Sequence, residues 1–120
     1  MSDETVSPCL EVTRMVAEIG GEDMHKCMQC GLCSGLCPWR NVESPFSMRQ
    51  VLHQNQLGVE GFESDDIIFA CTQCRMCQNN CPRGVGTATV VRAVRNMLYE
   101  SGALPKTLQA SLGNVKTDGN

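Results

Sequence analysis

An all-α fold is the class this sequence predicts, and three observations predict it. Helix-start residues followed by apolar positions at helical spacing recur along the chain outside two cysteine-rich runs. The stretch between those runs, residues 38–70, holds one capped helix of three turns and the start of another, more than a small β-rich cysteine protein leaves room for. No pair of alternating apolar segments joined by a turn announces a hairpin. At 120 residues the chain is one domain's worth of polypeptide, and its five aromatic side chains (three Phe, one Trp, one Tyr) make a thin core for that length. Something besides ordinary side-chain packing is expected to hold it.

Ser7-Pro8 supplies an N-cap and a proline at the first helical position, and Leu10, Val12, Met15, Val16 and Ile19 follow as a rough apolar stripe ending at Gly20-Gly21. A helix over 8–19 is expected. Ser44-Pro45 repeats the device ahead of Phe46, Met48, Val51 and Leu52, with Gly58 to close that helix. Ser64-Asp65-Asp66 caps a short helix that carries Ile67, Ile68 and Phe69 directly into Cys71. Thr87 opens a helix with Val90, Val91, Val94 and Leu98, stopped by Gly102. Leu104-Pro105 begins a last short piece to Leu112, before Gly113. Residues 1–113 read as one domain, the helix over 8–19 included, and 114–120 as a tail or linker.

Nine cysteines in 120 residues is the dominant compositional fact. A secreted disulfide scaffold wants an even count and an export signal, whereas Met1-Ser2-Asp3-Glu4-Thr5 is acidic and polar. No apolar run approaches a bilayer span, the longest being Ile67 to Cys71. A metal protein of a reducing, cytoplasmic compartment is the remaining reading. Eight of the cysteines form one pattern used twice, C-x2-C-x2-C-x3-C-P: Cys27, Cys30, Cys33 and Cys37 before Pro38, then Cys71, Cys74, Cys77 and Cys81 before Pro82. Gln29 and Gln73 also recur, and Leu32 is answered by Met76.

Three cysteines at three-residue intervals on a tight loop can aim three thiolates at corners of one cubane. The run is similar to the signature of two-cluster ferredoxins, in which the fourth cysteine ligates the other cluster. That likeness implies two [4Fe–4S] clusters, one on Cys27, Cys30, Cys33 and Cys81, the other on Cys71, Cys74, Cys77 and Cys37. The competing reading is a zinc-stabilised interaction module, but a third cysteine crowded onto one turn is not what a four-coordinate ion asks for. Crossed ligands would tie the two halves together and couple cluster insertion to folding.

The residues Cys27-Met28-Gln29-Cys30-Gly31-Leu32-Cys33 with Cys37-Pro38, then Ile67-Ile68-Phe69-Ala70-Cys71-Thr72-Gln73-Cys74 with Cys77 and Cys81-Pro82-Arg83-Gly84-Val85, resemble the small iron–sulfur C-type component of heterodisulfide reductase. The likeness continues through Val90-Val91-Arg92-Ala93-Val94-Arg95 to Gly102 and covers about residues 20–105. It implies the α-helical ferredoxin fold, two [4Fe–4S] clusters, and passage of single electrons between a flavoprotein subunit and a catalytic subunit with cysteine-rich CCG motifs. A quinone-linked membrane oxidoreductase, with peripheral association of this chain, is the alternative within the redox class. Leu112 to Asn120 looks like the stretch leading into CCG domains in fused relatives, so the chain is expected to be a small subunit or the relay domain of a longer polypeptide.

Other features carry less. Lys26, Arg40, Arg75 and Arg83 lie within a few positions of the cysteines, where cations raise cluster potentials or simply face solvent. Amides near Gly31, Gly35, Gly84 and Gly86 can approach sulfide closely or merely turn the chain. Met28, Leu32 and Met76 are expected to lower the local dielectric, and Trp39 either sheathes a cluster or packs. Cys9 reads as a buried thiol, and His25 and His53 as surface histidines. Gly84-Val85-Gly86 lacks the third glycine and the preceding strand of a dinucleotide fingerprint. Residues 1–70 are net acidic and 71–120 net basic, so Arg92 and Arg95 are expected on a face that docks an acidic partner, while nucleic acid is set aside for want of a dense basic run with aromatics. No nucleophile–base pair or paired carboxylates stand out, so the chain is expected to have no catalytic site of its own.

Overall fold

The computed structural model of the chain describes residues 7–42, 46–59 and 66–119, and every regular element among them is helical. Helix α1 (Leu10–Val16) begins at Cys9, whose backbone is extended at φ −106°, and not at Ser7-Pro8. The cause is an anchor: the Cys9 N–H donates to Gly58 O at 2.8 Å, which holds the chain extended there. Past Val16 the helix loosens into a π-turn, Ala17–Gly21, broken at Gly20 (φ 109°), and a 3₁₀ turn, Glu22–Lys26, leads into Cys27. The expected stop at Gly20-Gly21 is therefore right and the expected start two residues early.

Helix α2 (Leu32–Leu36) and the 3₁₀ turn Pro38–Asn41 lie within and after the first cysteine run. Helix α3 (Met48–Leu57) is capped by Ser47, whose hydroxyl accepts from Gln50 N. Phe46 sits in the core ahead of the helix, and the Ser44-Pro45 cap lies outside the described residues, as does Ser64-Asp65. Gly58 closes α3 at φ 62°, and a Cβ there would stand 2.0 Å from Cys9 O, so only glycine lets α1 start where it does.

A 3₁₀ turn, Asp66–Ala70, carries Ile68 into the core and ends at Cys71, and α4 (Met76–Asn79) follows within the second cysteine run. The central element is α5 (Thr87–Glu100), whose Val90, Val91, Val94 and Leu98 are all buried. It packs on the π-turn, on α1 and on α3, around Val16, Met24, Phe46, Met48 and Leu52. Each such side chain contributes about 1.5–3 kcal/mol of burial. Helix α6 (Lys106–Asp118) runs through Gly113, past the expected end at Leu112, and buries none of its residues. A mid-helix glycine costs only about 1 kcal/mol relative to alanine, too little to stop a helix alone.

Candidate metal centres

The two cysteine runs fold alike. Gln29 and Gln73 both sit at φ 59°, and the residues two further on, Gly31 (φ 82°) and Arg75 (φ 63°), are also left-handed and cap α2 and α4. Two left-handed residues so close together wind the backbone tightly, and the first three cysteines of each run line one cavity. Gly35 N donates to Gly31 O and Asn79 N to Arg75 O, at 3.1 and 2.9 Å. After each Cys-Pro a further turn closes in the same way, Arg40 N to Cys37 O at 3.2 Å and Gly84 N to Cys81 O at 3.1 Å. Helices α2 and α4 lie against each other, and the fourth cysteine of each run, just past its helix end, lines a cavity with the first three of the other run.

The consequence is two cavities. One, of about 430 Å³ with the space at its open mouth included, is lined by Cys71, Cys74, Cys77 and Cys37, with Trp39, Phe46, Met48 and Val91. The other, of about 350 Å³ on the same footing, is lined by Cys27, Cys30, Cys33 and Cys81, with Met28, Leu32 and Leu52. Thr87, buried at the start of α5, lines both. Cys30 and Cys74 are exposed and the other six half-buried. Among the described residues no three His, Cys, Asp or Glu side chains gather closely enough to hold a single ion; the thiols stand apart around the cavities.

Donors are aimed at sulfur on both sides. Gln29 N lies 3.4 Å from Cys27 Sγ, Val85 N 3.4 Å from Cys81 Sγ, and Thr87 Oγ1 2.9 Å from Cys77 Sγ. Such bonds stabilise thiolate and cluster sulfur alike. Burial pushes the Cys33 and Cys71 thiols up from the ordinary range, a cost that ligation by a metal cluster offsets. Four thiols around a largely apolar space open at one edge, with hydrogen-bonding groups turned toward sulfur, fit a [4Fe–4S] cubane in each cavity.

Carbonyls of the loops are held from behind. Gln56 Nε2 donates to Met24 O (2.7 Å) and Cys27 O (3.0 Å), while Arg95 Nη2 donates to Ile68 O (2.8 Å) and Cys71 O (2.6 Å). Arg95 is half-buried, with the Phe69 ring centroid 5.5 Å from its guanidinium carbon. It is thus part of the loop's support and not, with exposed Arg92, part of a basic docking face. Asp23 joins the halves, taking Gly86 N at 3.2 Å and pairing with Lys26 at 2.6 Å; that ion pair holds its carboxyl below the usual range. The Gly86 amide is therefore committed to a carboxylate and not to sulfide.

Arg75 lines the larger cavity and Arg83 the smaller, where Arg83 Nε also donates to Lys26 O at 3.2 Å, and Arg40 is exposed. Met28, Leu32 and Met76 are about half exposed (58, 45 and 47%), so they rim the cavities and exclude water less than expected. Trp39 lies in the wall of the larger one. His25 and His53 are exposed, and Cys9 is half-buried with its amide spent on Gly58. Sequence reasoning missed Gln56, the clamping role of Arg95, and Arg49, which lines the smaller cavity; the repeated Gln29/Gln73 was visible, its positive φ was not.

Residues 23–85 match the 4Fe–4S dicluster domain family. The chain is similar to the C component of the H2:CoB-CoM heterodisulfide,ferredoxin reductase of Methanothermobacter thermautotrophicus, 33% identical over 93 residues, which is 77% of this chain and 50% of that one. It is also similar to the iron-sulfur C component of the CoB–CoM heterodisulfide reductase of Methanopyrus kandleri (32% over 105 residues, 86% of this chain and 50% of that one). A protein of Archaeoglobus profundus, named for its likeness to the same heterodisulfide reductase component, gives 32% over 94 residues, 78% of this chain and 50% of that one. The chain spans about half the length of the curated relatives it matches. Among the described residues no helix is long and apolar enough to cross a membrane.

Proposed function

The chain belongs to the 4Fe–4S dicluster family, as an iron–sulfur electron-transfer protein with two [4Fe–4S] clusters, and from that premise we propose that it relays single electrons between a flavoprotein and a CCG-type catalytic subunit of a heterodisulfide reductase-like complex. The ligand sets in this reading are Cys27, Cys30, Cys33 and Cys81 for one centre and Cys71, Cys74, Cys77 and Cys37 for the other. The observation that supports it is the pair of cavities, each lined by four thiols drawn from both cysteine runs and separated by Thr87. The relatives are named as one component of a multi-subunit reductase, which supports such a setting for this chain.

When bound, a [4Fe–4S] cluster takes up and gives back one electron at a time. The chain's residues do the rest. Cysteine thiolates fix the position of each centre, and the amides of Gln29 and Val85 and the Thr87 hydroxyl offset negative charge at sulfur. Apolar side chains such as Phe46, Met48, Leu52 and Val91 keep water from the inner walls. Cys30 and Cys74, exposed, bring one edge of each centre to the surface, where a redox partner can approach.

Iron and sulfide analysis of anaerobically purified chain, with electron paramagnetic resonance after dithionite reduction, tests the clusters: about four irons and four sulfides per site are expected. Stoichiometric zinc with a silent spectrum would overturn the relay. Purification of the native assembly tests the partners, a flavoprotein and a CCG-containing protein being expected. Copurification instead with a quinone-binding membrane protein would replace this setting by the membrane-complex one.

A further inference from the structure

The two loops are held in the same way by chemically different groups. Gln56 is the ninth residue of Met48–Leu57 and Arg95 the ninth of Thr87–Glu100, the helix that follows each cysteine run. Their acceptors correspond in the repeat, Met24 O with Ile68 O and Cys27 O with Cys71 O. One clamp is a neutral amide and the other a guanidinium, which stays charged at any working pH. The same mechanical task therefore leaves a half-buried fixed positive charge behind one loop, while the cations on the other side, Arg83 with its bond to Lys26 O among them, are exposed.

Each electron added to a cluster adds a negative charge, and a nearby fixed cation stabilises the reduced form, the more so where water does not screen it. Arg95 is half-buried behind Cys71, under Phe69. The remaining cations do not cancel this. Arg75 lines the larger cavity, Arg49 and Arg83 the smaller, and all three are exposed, where solvent and salt weaken them. Lys26, beside Cys27, is paired with Asp23.

We infer that the two centres are unequal in potential and that the one on the Cys71 loop, backed by Arg95, is where the first electron rests, so that electrons run downhill from the Cys27 loop to the Cys71 loop. This rests on the two-cluster relay reading. In the transfer the centre on the Cys27 loop is oxidised and that on the Cys71 loop reduced by one electron, with no bond made or broken. A donor then docks nearer exposed Cys30 and an acceptor nearer exposed Cys74.

The test is an anaerobic dithionite titration of the cluster-loaded full chain followed by electron paramagnetic resonance. Two one-electron steps are expected, with the electron favouring one centre at least tenfold, a separation of about 59 mV or more. Arg95→Gln offers the amide donor that Gln56 offers and removes the charge; the higher potential should fall toward the lower. Arg95→Lys keeps the charge and should leave the order intact, whereas Gln56→Arg should raise the lower potential. If Arg95→Gln moves the lower potential, or neither, the inference is overturned. If that variant fails to hold its cluster, Gln56→Arg decides alone, a rise supporting the inference and an unmoved potential overturning it. A chain without iron and sulfide fails at the earlier step and removes the inference with it.

Discussion

Exchange of the fourth ligand between the two cysteine runs is open to a test by paired substitutions. Cys81 lines the cavity of Cys27, Cys30 and Cys33, and Cys37 that of Cys71, Cys74 and Cys77. If cavities correspond to centres, Cys81→Ala and Cys27→Ala strike the same one, and the double variant should lose no more than the single. Iron should fall from about eight per chain to about four and stay there. Cys81→Ala with Cys71→Ala strikes both centres, and iron should approach zero. Local ligation, each run filling its own four corners, inverts the two results. Non-additivity of this kind marks residues sharing one site. Trp39, the chain's single tryptophan, gives a second readout because it lines the larger cavity. An iron–sulfur centre beside an indole quenches its emission, so fluorescence should stay low in the Cys27/Cys81 double variant and recover in the Cys37/Cys71 one. An iron-free Cys27/Cys81 protein beside a half-loaded Cys71/Cys81 protein would refute the reasoning.

Three further outcomes are expected. Gly58→Ala should cost about 2–3 kcal/mol, about 1–2 from the left-handed backbone and about 1 from the lost Cys9 N to Gly58 O bond, because its Cβ would collide with Cys9 O. Gly102→Ala, left-handed at φ 75° but facing open space, should cost about 1–2 kcal/mol, the backbone share alone; equal melting of the two cluster-loaded variants would sink the argument for a close approach at Gly58. Thr87→Val, nearly the same shape at a fully buried position, should keep both clusters and lower the potential of the Cys71-loop centre through loss of the 2.9 Å bond to Cys77 Sγ; an unchanged titration curve counts against that bond. Removal of iron by a chelator should abolish cooperative melting followed by circular dichroism, since Cys27, Cys33, Cys37, Cys71, Cys77 and Cys81 pack against the core and lose their common partner; a sharp apo transition at the holo temperature would contradict this.

The parts of the fold written locally in residue chemistry were legible. Gly58 and Gly102 mark real stops, and the stripe of Val90, Val91, Val94 and Leu98 marks the central helix. The parts set by a distant partner were not. Cys9 takes the N-cap of α1 from Ser7-Pro8 because Gly58, far away in sequence, supplies the carbonyl that fixes it. Gly86 gives its amide to Asp23 across the fold. Spacing alone marked the repeat of eight cysteines that line the two cavities, since a recurring local pattern is read directly off the sequence. It said nothing of Gln56 and Arg95, because a side chain that supports a loop from another helix has no fixed offset from it. Arg95 looked like surface charge for the same reason.

The repeat also shows why the thin core suffices. Helices α3 and α5 each follow one cysteine run, yet neither walls only its own side. Met48 of α3 lines the larger cavity while Arg49 and Leu52 line the smaller; Thr87 of α5 lines both, and Ala88 and Val91 the larger. The duplicated halves exchange walls as well as thiols. A half-chain would present three cysteines on a wound loop with the opposite wall missing, leaving apolar side chains such as Val91 and Leu52 exposed to water at about 25 cal/mol per Å². Burial and cluster enclosure are therefore one interlocked event in this fold: the residues that would complete a centre in one half are the residues that close the core of the other.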